Sequence, residues 1–168
     1  MHKNELLIKE IRDSIITIMD KFGFTDHRKE SYSRKIYEEW LRDYEWKIEG
    51  VRMIYPNKDP YFVDLVLDVY LKTGKENKLH FFGSTVNNIV DRNDVWYRFP
   101  SMLMSFRKTN FIKTVTNDLE KALFWFGKYK TPKSCINELI ADRTHIRGTE
   151  SKNYNLAIEF LNSIKLGN

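Results

Sequence analysis

The sequence predicts an α+β fold: an N-terminal helix, an antiparallel sheet of about four strands, and then about three C-terminal helices packed on one face. Three observations carry this. Apolar residues recur at helical spacing at the start of the chain, alternate with period two in its middle, and return to helical spacing after Pro100. The elements are segregated rather than alternating, the order expected when helices cover one face of an antiparallel sheet. The 168 residues show no internal repeat and no linker-like stretch, which suits a single domain over residues 1–168.

Residues 3–22 place Ile8, Ile11, Ile15, Ile18, Met19 and Phe22 on one stripe. Asn4 suits the N-cap, Glu5 the first turn, and Gly23 the left-handed stop. Residues 31–55 admit two readings. Ile36, Tyr37, Trp40, Leu41 and Tyr44 fit a helical stripe, while Tyr32, Ile36 and Trp40 fit one strand face interrupted by Arg34 and Glu38. The β-branched and aromatic content favours strand. A hairpin near Arg42 and Asp43 then leads to a second strand over residues 46–55, in which Gly50 suggests a bulge. Residues 56–60 are a turn by their Pro, Asn and Asp content.

Residues 61–72 give the clearest strand. Val63, Leu65, Leu67, Val69 and Leu71 share one face, and Phe62, Asp64, Val66, Asp68 and Tyr70 the other. Residues 73–77 form a hairpin loop, and residues 78–85 return as the partner strand. Residues 87–100 are loop-like, polar at first and then aromatic. Residues 110–129 carry Phe111, Ile112, Val115, Leu119, Ala122, Leu123 and Phe126 at helical spacing. Thr131 and Pro132 read as N-cap and first helical residue of a helix to about residue 142, with Ile136, Leu139 and Ile140 buried. Residues 143–152 form a loop through Gly148, and residues 151–164 close with a last helix carrying Leu156, Leu161 and Ile164.

Composition excludes several classes. With 14% aromatic residues the chain is not intrinsically disordered, and with 7 Gly it is not collagen-like. Cys135 is the only cysteine, so neither an internal disulfide nor a cysteine-based zinc site can form. A lone thiol, no signal-like N-terminus and no long apolar run lead to the expectation of a cytoplasmic protein with no membrane partner. The net charge of +5 is concentrated. Residues 107–133 hold seven cations against Asp118 and Glu120, so that window carries the whole excess.

No phosphate loop, dinucleotide fingerprint, nucleophile elbow or zinc-binding histidine pair is present, and neither a metal nor a cofactor is expected. The four histidines are scattered. For His80, beside Phe81 and Phe82, a catalytic role would need a partner that the sequence does not name. Asp64 and Asp68 share a strand face about 13 Å apart, too far to share a metal ion or a proton. Glu45-Trp46-Lys47 matches the Glu-x-Lys element of metal-dependent nucleases, with Asp26 or Glu30 as upstream acid, but no parallel βαβ unit surrounds it. Aromatic and basic residues interleave at Trp96, Tyr97, Arg98 and Arg107, and Lys128, Lys130 and Lys133 extend the basic window. These seven are the candidate binding residues, and no catalytic set is assigned.

Leu123-Phe124-Trp125-Phe126, Tyr129-Lys130-Thr131-Pro132, Leu156-Ala157 with Gly167, and the Gly23-Phe24 junction together resemble the bacterial family called domain of unknown function 4304. The resemblance implies a small α+β domain without catalytic signatures, similar to many immunity proteins encoded beside toxins, and implies no site residue. The expectation is a binding protein rather than an enzyme, with a protein partner. The alternative is nucleic-acid binding through residues 107–133.

Overall fold

A computed structural model describes residues 3–58, 60–74, 77–94, 96–100, 105–141 and 151–164. Helix α1 (Lys3–Lys21) opens the chain, and five strands follow as a meander: β1 (Asp26–Tyr32), β2 (Lys35–Asp43), β3 (Lys47–Pro56), β4 (Phe62–Lys72) and β5 (Lys78–Thr85). The short helix α2 (Val86–Ile89) and the two-residue β6 (Tyr97–Arg98) come next. Helix α3 (Ser105–Leu123) runs into a 3₁₀ segment (Phe124–Tyr129), and α4 (Pro132–Ala141) and α5 (Ser151–Ser163) complete the fold. The sheet is antiparallel in the order β1-β2-β3-β4-β5, with β6 beside β4. The α+β architecture is therefore as the sequence predicts.

The helical face of the sheet forms the core. Val63, Leu65, Leu67, Val69 and Leu71 of β4 meet Val51 and Met53 of β3 and Trp40 of β2. The α1 stripe of Leu7, Ile11, Ile15 and Met19 packs with them, as do Val115 and Leu119 of α3 and Leu139 of α4. Thr131 caps α4 as expected, its Oγ accepting from the Ser134 amide at 3.1 Å. Among the described residues no helix is long and apolar enough to cross a membrane.

Five expectations need correction, the first being that Ile140 of α4 is 59% exposed rather than buried. Among the described residues the sheet has six strands rather than about four, because β1 and β6 carry no alternating pattern; every β1 residue is exposed. The turn ending β2 lies at residues 44–46, just past Arg42 and Asp43. Gly50 pairs regularly with Leu41 and Asp68, and the bulge lies instead between β4 and β5 at Val69/Tyr70. The third helix begins five residues before residue 110 and hands over to the 3₁₀ turn at Phe124. Within that turn Phe126 faces in and Phe124 faces out. The expected loop through Gly148 and the Gly167 terminus lie outside the described residues.

Candidate functional site

The buried charges fall into two groups, according to which face of the sheet they occupy. On the helical face they join helices to strands. Glu38 of β2 is fully buried and receives Arg12 of α1 at 2.6 and 2.5 Å, as well as the Tyr55 hydroxyl. Burial alone would raise the Glu38 carboxyl, but the hydrogen bonds of Arg12 and Tyr55 and the Arg12 charge pull it below the usual carboxylate range. Glu49 of β3 accepts from Lys47 at 2.5 Å and from Arg42 at 2.5 Å. Lys47 also donates to the Tyr129 carbonyl at 2.5 Å, and Arg42 to that of Phe22 at 2.6 Å. Asp118 of α3 accepts from Arg92 at 2.5 Å and from the Tyr97 hydroxyl at 3.1 Å. These contacts clamp the layers together.

Among the described residues the opposite face carries no helix, and it holds an ordered polar cluster. Asp68 of β4 is 1% exposed. One carboxylate oxygen accepts from His80 Nε2 at 2.7 Å and the other from Arg52 at 2.5 Å. Beside it the Tyr70 hydroxyl donates to Glu39 at 3.2 Å, and the Tyr70 and His80 rings meet edge to face at 5.3 Å. Burial raises the Glu39 carboxyl, with the nearby Arg52 charge opposing. Burial also raises the Tyr70 phenol, reinforced by the Asp68 charge.

Two glycines make room for this cluster. A Cβ on Gly83 would stand 2.6 Å from Asp68 Oδ1 and 3.0 Å from His80 Nε2. A Cβ on Gly50 would stand 3.3 Å from Glu39 Oε1 and 3.2 Å from Leu41. Beside the cluster, on the β1 side, lies a depression of about 270 Å³, lined by Arg28, Glu30 and Tyr32 of β1, Tyr37 and Glu39 of β2, Arg52 of β3 and Tyr70 of β4. Its volume is below the roughly 300–1,000 Å³ of small-molecule clefts.

The predicted binding residues do not gather into one site. Tyr97 is buried and bonded to Asp118, while Trp96 is half-buried, stacked on Phe62 at 5.0 Å. Arg98 and Arg107 are exposed. Lys128, Lys130 and Lys133 are exposed too, but beyond the far end of α3 from Arg107, about 24 Å along the helix at its standard rise. Lys47 of the Glu-x-Lys match is tied up inside the fold, and Glu45 sits in the exposed turn. Among the described residues no group of three metal-type ligands occurs.

The Asp68–His80 pair escapes sequence reading because of the bulge. Pairing from the hairpin loop sets Tyr70 opposite His80. The extra residue, Phe81, then sets Asp68 opposite Gly83 and turns Phe82 into the core. A polar residue on β4 facing a lone histidine and a glycine on its partner strand was the available signal. No family model, curated protein or solved structure matches this chain.

Proposed function

We propose that this chain is a non-enzymatic binding protein whose sheet face opposite the described helices engages another protein, as an immunity-type or defence-system component. The observation that carries this is the Arg52–Asp68–His80 cluster, held rigid on a face where it joins no helix to the sheet. Pre-ordered polar groups ringed by tyrosines make a surface that loses little entropy on docking. Tyr32 at 76% exposure and the half-exposed Tyr37 are residue types favoured at interface centres. The small size of the depression beside the cluster suits a partner's side chains better than a substrate.

The test is photo-cross-linking in the native host from a reactive residue placed at Tyr32 or Tyr37, with Ile140 on α4 as the control position. Discrete protein adducts from the sheet positions and none from Ile140 support the reading. Adducts from Ile140 alone overturn it. Nucleic-acid binding is favoured by the joint exposure of Lys128, Lys130 and Lys133. It requires low-salt binding to single-stranded DNA or RNA that is lost when the three are neutralised.

A further inference from the structure

The depression beside the Asp68–His80 pair owes its chemistry to register. Alternate residues of a strand share a face, so Glu30 and Tyr32 of β1 stand together there. Pairing sets Glu30 opposite Tyr37 and Arg28 opposite Glu39, and Glu39 opposite Arg52 on the next strand. Carboxylates and tyrosines therefore interleave across β1 and β2. Glu30 and Glu39 are diagonal neighbours, with backbones roughly 7–8 Å apart.

Both arginines of the depression are already matched by acids. Arg28 donates to Asp26 through Nε at 3.0 Å and through a terminal nitrogen at 2.7 Å. Arg52 donates to Asp68 at 2.5 Å, and its Nε is buried. The two glutamates are not matched. Among the described residues neither makes an ion pair, and Glu39 accepts from the Tyr70 hydroxyl at 3.2 Å. Four acids, Asp26, Glu30, Glu39 and Asp68, thus stand against two arginines, and a charged His80 would still leave one acid in excess. Further along this face the Lys35 charge acts on Asp64, and those two offset each other. Burial raises the Glu39 carboxyl against the pull of Arg52 and Arg28, so ionising it costs stability that a bound cation would return. Tyr32, Tyr37 and Tyr70 border the same space, and the faces of such rings attract cations. Among the described residues the carboxylates have no third metal-type ligand, which suits an organic cation better than a metal ion.

We infer that the depression takes a basic side chain, arginine or lysine, of the protein partner, with its charged head at Glu30 and Glu39 and its stem against Tyr32 and Tyr37. The inference rests on the protein-binding reading and names the chemistry of the contact. A guanidinium fork can donate to both carboxylates, and an ammonium can do so with two of its three donors. The aliphatic stem covers tyrosine ring surface while the head meets the acids.

The experiment titrates the full chain, carrying isotope-labelled tyrosine and glutamate side chains, with capped Gly-Arg-Gly, Gly-Lys-Gly and Gly-Glu-Gly at low salt, read by NMR. The basic peptides should move the Tyr32, Tyr37, Tyr70 and Glu39 signals saturably, and the acidic peptide should not. Glu30→Gln and Tyr32→Ala alter exposed side chains, and Glu39→Gln removes a charge that burial disfavours, so all three variants fold, as thermal melts would verify. Each should weaken the basic peptides by about threefold or more, whereas Tyr32→Phe, which keeps the ring, should leave them unchanged. No saturable shift at these residues, equal binding of the acidic peptide, or indifference to both Glu30→Gln and Glu39→Gln overturns the inference. Calcium that displaces the basic peptides from the same residues also overturns it. Such failures leave the cross-links from Tyr32 and Tyr37 standing, so the two readings fail separately. Basic peptides bound here with no protein adduct from either tyrosine would instead overturn the assignment to a protein partner.

Discussion

Gly83→Ala tests whether the polar cluster has the geometry described. Glycine inside a strand is normally a weakness, and alanine would stabilise by about 0.5–1 kcal/mol if space allowed. Here the new Cβ stands 2.6 Å from Asp68 Oδ1 and 3.0 Å from His80 Nε2. Asp68 is buried and fixed by Arg52, so the pair must separate or the strand must shift. Losing a charge-assisted hydrogen bond costs about 1.5–3 kcal/mol, toward the lower end here because the His80 side chain is 32% exposed. Overpacking adds about 1–3 kcal/mol. The net expectation is a loss of about 2–4 kcal/mol. For a domain of this size that lowers Tm by roughly 4–16 °C. Urea titration and thermal melting followed by circular dichroism read this directly. In an Asp68→Ala background the same substitution should cost at least about 1 kcal/mol less, since the nearest clash is gone. An unchanged or raised Tm for Gly83→Ala would refute the packing of this cluster.

Glu38→Gln should destabilise the chain by about 3 kcal/mol in urea titration, because it leaves Arg12 without its buried counter-charge. The folded-state carboxyl of Glu38 is lowered, so its contribution is present above the unfolded carboxylate range and is lost as pH falls through the folded value. Glu39→Gln should behave oppositely. Its carboxyl is raised on folding, so ionising it costs stability as pH rises from the unfolded to the folded value. The variant should therefore be more stable than wild type near pH 7 and indistinguishable from it near about pH 4, by urea titration at both values. The Cys135 thiol is buried and pushed up to about 12 by that burial. A maleimide should label it at the rate of global unfolding, and rapid labelling of the native chain would contradict its packing.

The elements legible in the sequence are those with one wet and one dry face. The β4 alternation and the α1 stripe follow from such faces, and both lie where the periods place them. Strand β1 was not legible because both its faces are polar; even its inward His27 and Lys29 approach the buried carboxylate of Glu38 at 3.5 Å. Its strand character comes from pairing with β2 alone. The basic window was correctly counted, but helix α3 divides it, and Lys108 is used internally against Glu10 at 2.5 Å. Tyr97 looked like part of an aromatic and basic surface and is instead a hydrogen-bonded core residue. The candidate site depends on register across β3, β4 and β5, and one bulged residue changes which side chains meet. Composition and spacing carry no record of that shift.

Affinity for the cross-linked partner, measured by calorimetry, tests the central claim most directly. Tyr37→Ala, on the open sheet face, should weaken binding by at least about tenfold. Ile140→Ser, on the exposed side of α4, should leave it unchanged. Equal affinity for wild type and Tyr37→Ala, with loss confined to Ile140→Ser, would place the interface on the helical side and contradict the account.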